Sequence, residues 1–304
     1  MDRIDRLSIL LFFDERKLTI NRRGDSWIYI GMLGVRTRDF ETVLRSLLDV
    51  RGTVNTEITY KGLNHRSRRK NSRKVKVARE WLEFVKNDNL KIFHFYILGL
   101  YWDNLIKEFF DGTEAGVYRR FISTAIRYGV KTFFFPEAHS VEIARIFHDR
   151  SVMENDPIFN WRAIWDVEVG EENIFFSNRD ILFIDSDHNK ETRYTKESHF
   201  IQLIDLILGS CTQCLDGLSH RSAKIEVAET IYPLISRLVN EKTCNNRNSR
   251  YCYVNRCLVK FFPSKRLSVN ELNDTERRAT SQFFTNRDLL IDSIKGQVGL
   301  LPGF

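Results

Sequence analysis

The sequence predicts an α/β protein, a mixed β-sheet flanked by helices. Short apolar runs rich in Ile, Phe and Tyr come first, in hairpin-like succession, and later runs alternate with segments of helical spacing. Hydrophobic residues make up 42% of the 304, with 23 Phe among them, enough to bury a sizeable core and to exclude a disordered chain.

The elements follow in order. Leu7–Phe13 is a short apolar run ending at Asp14-Glu15, as expected of a strand buried on both faces. Trp27–Val35 reads as a second strand, and Phe40, Val43, Leu44, Leu47 and Leu48 mark a helix over Phe40–Val50. Thr53–Tyr60 has the Thr, Val, Ile and Tyr of a strand. A helix is expected over Val75–Lys86, a strand over Lys91–Leu100 and a helix over Thr113–Tyr128. Lys131–Phe135 reads as a compact strand closing on Pro136-Glu137, and Ser140–Asp149 as an amphipathic helix. Ser151–Arg179 is irregular; Ile181–Ile184 is a last short strand before a helix over Ser198–Cys214. The character changes beyond Ser219: a helix over Arg221–Asn240, a strand-like Tyr251–Phe262, and Ser268-Val269-Asn270-Glu271 with capping-box spacing before a polar helix. Residues 1–215 are thus expected to form the main domain and 216–304 a mostly helical appendage, packed on it or serving as a protein or homodimer interface.

No apolar run approaches the roughly 20 residues needed to cross a bilayer, and the charged start Met1–Arg6 is unlike a secretory signal, so a cytoplasmic protein is expected. Lys and Arg outnumber Asp and Glu by 47 to 40, a net +7 that favours polyanionic partners. No Walker loop, G-x-G-x-x-G or Ser-His-Asp motif is present, which weighs against NTP hydrolysis, dinucleotide binding and acyl transfer.

The informative pattern is the placing of isolated acids. Asp14 closes one apolar run, Glu137 closes another, and Asp205 lies inside an apolar helix. In open α/β sheets ligand sites form at the carboxyl ends of strands. Ser198, Gln202, Asp205 and Gly209 fall on one helical stripe among Phe, Ile and Leu, so the helix is expected to be buried nearly all round. A buried, ionised Asp costs several kcal/mol unless compensated. A metal ion would compensate Asp205; so would an arginine or a turn that it caps. Gly209 would let backbone pack closely.

These motifs resemble the bacterial family called domain of unknown function 3800, of the RNase H-like group. The resemblance runs from Phe13-Asp14-Glu15-Arg16, through Glu57-Ile58-Thr59-Tyr60-Lys61 and the strand-closing Glu137, to Ile184-Asp185-Ser186 and Gln202-Leu203-Ile204-Asp205-Leu206. It covers roughly residues 7 to 210. Arg16 and Lys17 stand where the family has Ser-Gly, and Ile204 where it has Ala. The resemblance implies an RNase H-like fold and a nuclease that cleaves RNA or DNA with two Mg²⁺ or Mn²⁺ ions held by a few carboxylates on adjacent strand ends and one helix. It implies Asp14 as the bridging ligand, Asp205 as the helix-borne one, and Glu57 and Glu137 completing the set, with Glu15, Ser186, Asp187 and Gln202 in support. Family members often sit beside mobile or defence genes. The alternative is a catalytically degenerate nucleic-acid-binding or partner-binding protein on the same fold.

Three further features bear on function. The basic segment carrying Arg66, Arg68, Arg69, Lys70, Arg73 and Lys74 is suited to phosphate contact without sequence reading, or is a solvated loop. Cys211-x-x-Cys214, with Cys244, Cys252 and Cys257, has part of a zinc spacing, but Cys211 and Cys214 continue the apolar helix and are expected as reduced core residues. His139 and His188 are expected near the acids.

Overall fold

The computed structural model describes residues 3–20, 26–64, 72–87, 92–102, 114–156, 158–240 and 256–262. They form a mixed seven-stranded sheet with helices on both faces. The strands are β1 (Ile4–Ile20), β2 (Ser26–Arg36), β3 (His94–Tyr101), β4 (Ala138–Asp149), β5 (Ile174–Phe176), β6 (Ile181–Ile184) and β7 (Cys257–Phe262). The helices are α1 (Phe40–Arg51), α2 (Arg73–Lys86), α3 (Glu114–Phe133), α4 (Phe159–Gly170), α5 (Thr195–Asp216) and α6 (Ser222–Asn240).

The sheet order is β5-β4-β1-β2-β3-β7, with β6 following β5 along the same edge of β4. β2 runs antiparallel to β1 and β3; β4 is parallel to β1, and β7 to β3. The apolar run of β1 explains its central place. Leu7, Ile9, Leu11 and Phe13 pack into a core with α3 and α4, while Phe12 faces the opposite core with α1, α2, α5 and α6. A strand that must bury both faces belongs inside a sheet.

Four expectations are corrected. Ser140–Asp149 is strand, not helix: it belongs to β4, which pairs with β1 over nearly its whole length. The register jumps between Ile9↔Ile143 and Leu10↔Arg145, so Ala144 is an inserted residue. That bulge reverses the inward alternation; Val141 and Ile143 share a face with Ile146 and His148, and Phe147 turns to the other. The resulting spacing of 143, 146 and 147 mimics a helix. Lys131–Phe135, read as a strand for its three Phe, is the last turn of α3 and the bend after it. Thr53–Tyr60 forms no strand. Its Ile58 and Tyr60 N–H groups donate instead to side chains of α5, to Gln202 Oε1 (3.0 Å) and Asp205 Oδ2 (2.6 Å). The segment keeps strand-like alternation, burying Ile58 and Tyr60 and turning Glu57, Thr59 and Lys61 outward. Finally, Ser151–Arg179 is not irregular throughout, since it holds α4 and β5. In 216–304, α6 packs on α5 and α2, and β7 extends the main sheet beside β3. The expected helix after Ser268 lies outside the described residues.

Gly31 and Gly209 seat α5. Gly31 is the register partner of Asp14, and a Cβ there would come within 3.2 Å of the Ile204 side chain. A Cβ on Gly209 would fall 2.5 Å from Cβ and Cδ1 of Tyr60, so the ring lies where a larger residue would project. No helix of the described residues is long and apolar enough to cross a membrane.

Candidate functional site

The two strands that bring acids together are β1 and β4. Phe12 and Phe147 are register partners and stack at 5.3 Å, with Phe200 of α5 stacked on Phe12 at 4.8 Å. Side chains two residues further on point to the same face, so Asp14 and Asp149 emerge side by side above this phenyl stack, on strands about 4.8 Å apart. The bulge at Ala144 is what aims Asp149 this way; without it the carboxylate would face the other core. From above, α5 lowers Asp205 toward them. Glu57 joins from the loop after α1, where Ser186 Oγ donates to its Oε1 at 2.7 Å.

These acids share a cleft of about 760 Å³ with Arg16, Lys17, Lys61, Arg150 and Lys224. Asp14 is 7% exposed. Burial first, then the charges of Asp205, Asp149 and Glu15, hold its carboxyl well above the usual range. Burial and Asp205 push Asp149 up to about 7. Burial pushes Asp205 up to about 6, against the Tyr60 N–H bond and the charge of Arg16, which lower it. Three carboxyls that resist ionising together are a site short of positive charge. Among the described residues no Lys, Arg or His lies within 4.0 Å of Asp14, Asp149 or Asp205 to form an ion pair.

Gln202 organises the rim. Its Oε1 accepts from Ile58 N–H and from Arg51, and its Nε2 donates to the Ser186 carbonyl at 2.5 Å. One amide thus pins both the Glu57 loop and the Ser186 turn to α5, a positioning role in keeping with its complete burial.

Comparisons with protein-family models, with curated proteins and with solved structures returned no match. What the site can do rests on its own geometry.

That geometry brings together Asp14, Glu57 and Asp205 and rejects Glu137. Glu137 immediately precedes β4 and pairs with Arg36, and its carbonyl accepts from Ile4 N–H at 3.0 Å. Ile4 is ten strand residues from Asp14, about 33 Å along β1. The acid that closes the strand beside β1 is Asp149, hidden in the sequence by the helix-like spacing. His139, exposed at the start of β4, is likewise at the wrong end. His188 packs against His199 (4.8 Å) and contacts Arg51, outside the residues lining the cleft. Asp187 holds its own turn, accepting from Asn189 N–H (3.1 Å) and pairing with Lys190 (3.1 Å). Glu15 borders the cleft, but its Oε2 lies 3.3 Å from Nε2 of buried His148, on the opposite face of the sheet.

Of the basic segment, Arg66, Arg68, Arg69 and Lys70 lie outside the described residues. Arg73 and Lys74 open α2, and Arg73 lines a separate groove with Arg79 and Glu226. Of the cleft's own cations, Arg150 and Lys224 are isolated basic residues in the chain, which no local sequence pattern marks. Cys211 and Cys214 are free and buried, and burial raises both thiols, as expected of core cysteines. Cys257 is also buried; Cys244 and Cys252 lie outside the described residues.

Among the described residues, no three His, Cys, Asp or Glu side chains gather closely enough to enclose one metal ion. A hard divalent cation needs less. Mg²⁺ commonly takes one or two carboxylates and completes its octahedron with water and substrate oxygens. Asp14 and Asp149 offer such a pair, all oxygen and on adjacent strands, the first buried and the second half-buried, with Asp205 close by.

Proposed function

We propose that the chain is a divalent-metal-dependent nuclease of RNase H-like fold, hydrolysing phosphodiester bonds of RNA or DNA in the cleft beside Asp14. The observation that carries the proposal is the meeting of Asp14, Asp149 and Asp205, from two adjacent strands and one helix, with no ion pair to any of them among the described residues. Such a cluster is tolerable either protonated or around a cation. Mg²⁺ or Mn²⁺ bound there would polarise the phosphate and make water a stronger nucleophile.

The protein's own groups account for the rest. Asp14 and Asp149 would be the principal ligands, with Asp205 and Glu57 reached directly or through water. Lys17, Lys61, Arg150 and Lys224 ring the acids, where they can meet the phosphates on either side of the scissile bond. As the water oxygen bonds to phosphorus and the P–O bond to the leaving oxygen breaks, one proton must be taken from water and one delivered to the leaving group.

Purified protein is expected to cut labelled RNA or DNA with Mn²⁺ or Mg²⁺ and not with EDTA. Asp14→Asn and Asp149→Asn should each lower the rate at least about a thousandfold, the scale of lost transition-state charge stabilisation. Glu137→Gln should stay within about twofold of the parent rate. Salt-sensitive, metal-independent binding with no product would instead select the non-catalytic alternative. Cleavage that survives both Asp substitutions would eliminate the site as assigned.

A further inference from the structure

Arg51 ends α1 and is 5% exposed. Its guanidinium lies 5.2 Å from the ring centre of Trp81, and it donates to Gln202 Oε1 and, at 3.4 Å, to the Thr56 carbonyl. These neighbours are neutral. Arg36 and Arg127, also buried, pair with Glu137 and Glu171, whereas no Asp or Glu of the described residues lies within 4.0 Å of Arg51. Asp187, the acid whose charge reaches Arg51, is itself paired with Lys190 at 3.1 Å. A buried cation without a counter-charge is costly. His188 and His199 gather against it. Both ring nitrogens of His188 lie 3.2 Å from Arg51 Nη1, and the two imidazole rings are 4.8 Å apart. Burial, then the charge of Arg51, hold both histidines below their ordinary value. Arg51 Nε and His199 Nδ1 are buried without a hydrogen-bond partner.

We propose that Arg51, His188 and His199 form a binding site for a phosphate group beside the cleft. The chemistry of the ligand follows from the donors. Phosphate oxygens accept charge-assisted bonds from a guanidinium and bonds from imidazole N–H groups, and the anion supplies the charge that Arg51 lacks. His188 is half-buried, and Asn55, Thr56 and Asn189 around it are exposed, so an anion meets polar, uncharged side chains at the surface. Gln202 lies between this site and the cleft, its Nε2 reaching His188 Nδ1 at 3.4 Å as well as the Ser186 carbonyl. His199 precedes Asp205 by six residues on α5, about 9 Å of helix. A nucleic-acid strand in the cleft would therefore reach the site with a neighbouring phosphate. That last step rests on the nuclease reading; the anion site itself does not.

The test uses the full chain at pH 7 in EDTA, which stops metal-dependent cutting. Inorganic phosphate, compared with chloride at equal ionic strength, is expected to shift the ring NMR signals of His188 and His199 and to leave those of His94 and His148 in place. A single-stranded oligonucleotide that shifts the same two rings would assign the phosphate to a nucleic-acid strand. A shift with inorganic phosphate alone would assign it to a small phosphate compound. Arg51→Gln and His188→Gln should each weaken phosphate binding at least about tenfold. Wild-type His188 and His199 signals that phosphate leaves unmoved would overturn the proposal, and this result needs no variant to fold. Unchanged phosphate affinity in Arg51→Gln would overturn it as well. Neither result touches the nuclease reading, which stands or falls on metal-dependent cutting.

Discussion

Asp149→Asn is expected to make the metal-free protein more stable at pH 8 by about 2–4 kcal/mol, while changing little at pH 4. The sign follows from proton linkage. An unfolded Asp titrates near 3.8, whereas folding pushes Asp149 up to about 7. Between those values the folded chain holds more protons than the unfolded one, so stability is lost as pH rises from about 4 through 7. Asp14 and Asp205 shift in the same direction and contribute to the same loss. Histidines lowered by burial work in the opposite sense. His199 is lowered to about 3 and His94 is held well below its ordinary value, both chiefly by burial. Their unfolded forms take up protons below about pH 6.5, so acid destabilises the fold through them. The informative quantity is therefore the difference between wild type and Asp149→Asn in urea unfolding across pH, from which the histidines cancel. On the proposed reading, saturating Mn²⁺ should stabilise the wild type at pH 8 and the variant much less, because only the folded pair of acids would bind it. Parallel pH curves for the two proteins would mean that Asp149 carries no unbalanced charge.

Gly209→Ala is expected to cost about 2–4 kcal/mol in the same unfolding assay and to weaken Mn²⁺ binding. Its added methyl meets Cβ and Cδ1 of Tyr60 at 2.5 Å, the base of the side chain and not its flexible end. Tyr60 has little freedom to move. Its hydroxyl donates to the Lys224 carbonyl at 3.2 Å, the Lys224 ammonium lies 5.0 Å from its ring centre, and its N–H holds Asp205. Pushing the ring outward draws the whole Glu57–Lys61 edge away from α5. Gly129→Ala in α3 is the control: the obstruction there is the terminal methyl of Met32, which can swing aside, and alanine favours helix over glycine by about 1 kcal/mol. Equal losses for the two substitutions would show that close packing of Tyr60 on α5 is not what Gly209 provides.

Both predictions turn on residues that differ in how plainly the sequence announces them. The fold's centre is legible because its signals are local and repeated: six apolar residues among the seven of Leu7–Phe13 in β1, a 3.6-residue period in α1 and α2, and the mostly Phe, Ile and Leu stretch Phe200–Leu208 of α5. Asp14 and Asp205 stand out because each interrupts such a pattern. Asp149 does not, since a single inserted residue at Ala144 breaks the two-residue period and the flanking apolar positions then fit a helix better than a strand. Glu137 closes a run, Lys131–Phe135, that has the apolar residues of a strand, and its place at the opposite end of the sheet follows only from the parallel pairing of β4 with β1. The segment before Lys61 shows the converse. Its alternation is real, but its hydrogen-bond partners are Gln202 and Asp205 side chains some 145 residues away. No local pattern reveals that a helix, and not a neighbouring strand, satisfies those amides. The same holds for β7, whose pairing with β3 joins the last described residues to the sheet across a span that composition alone marks as different.

The most direct test of the acid cluster as a metal centre is a crystal soaked in Mn²⁺ and measured at the manganese edge. An anomalous peak is expected in the cleft, within coordination distance of one oxygen each of Asp14 and Asp149. A cleft without a peak, with Arg16 or Lys224 closed onto Asp14 in an ion pair, would contradict it.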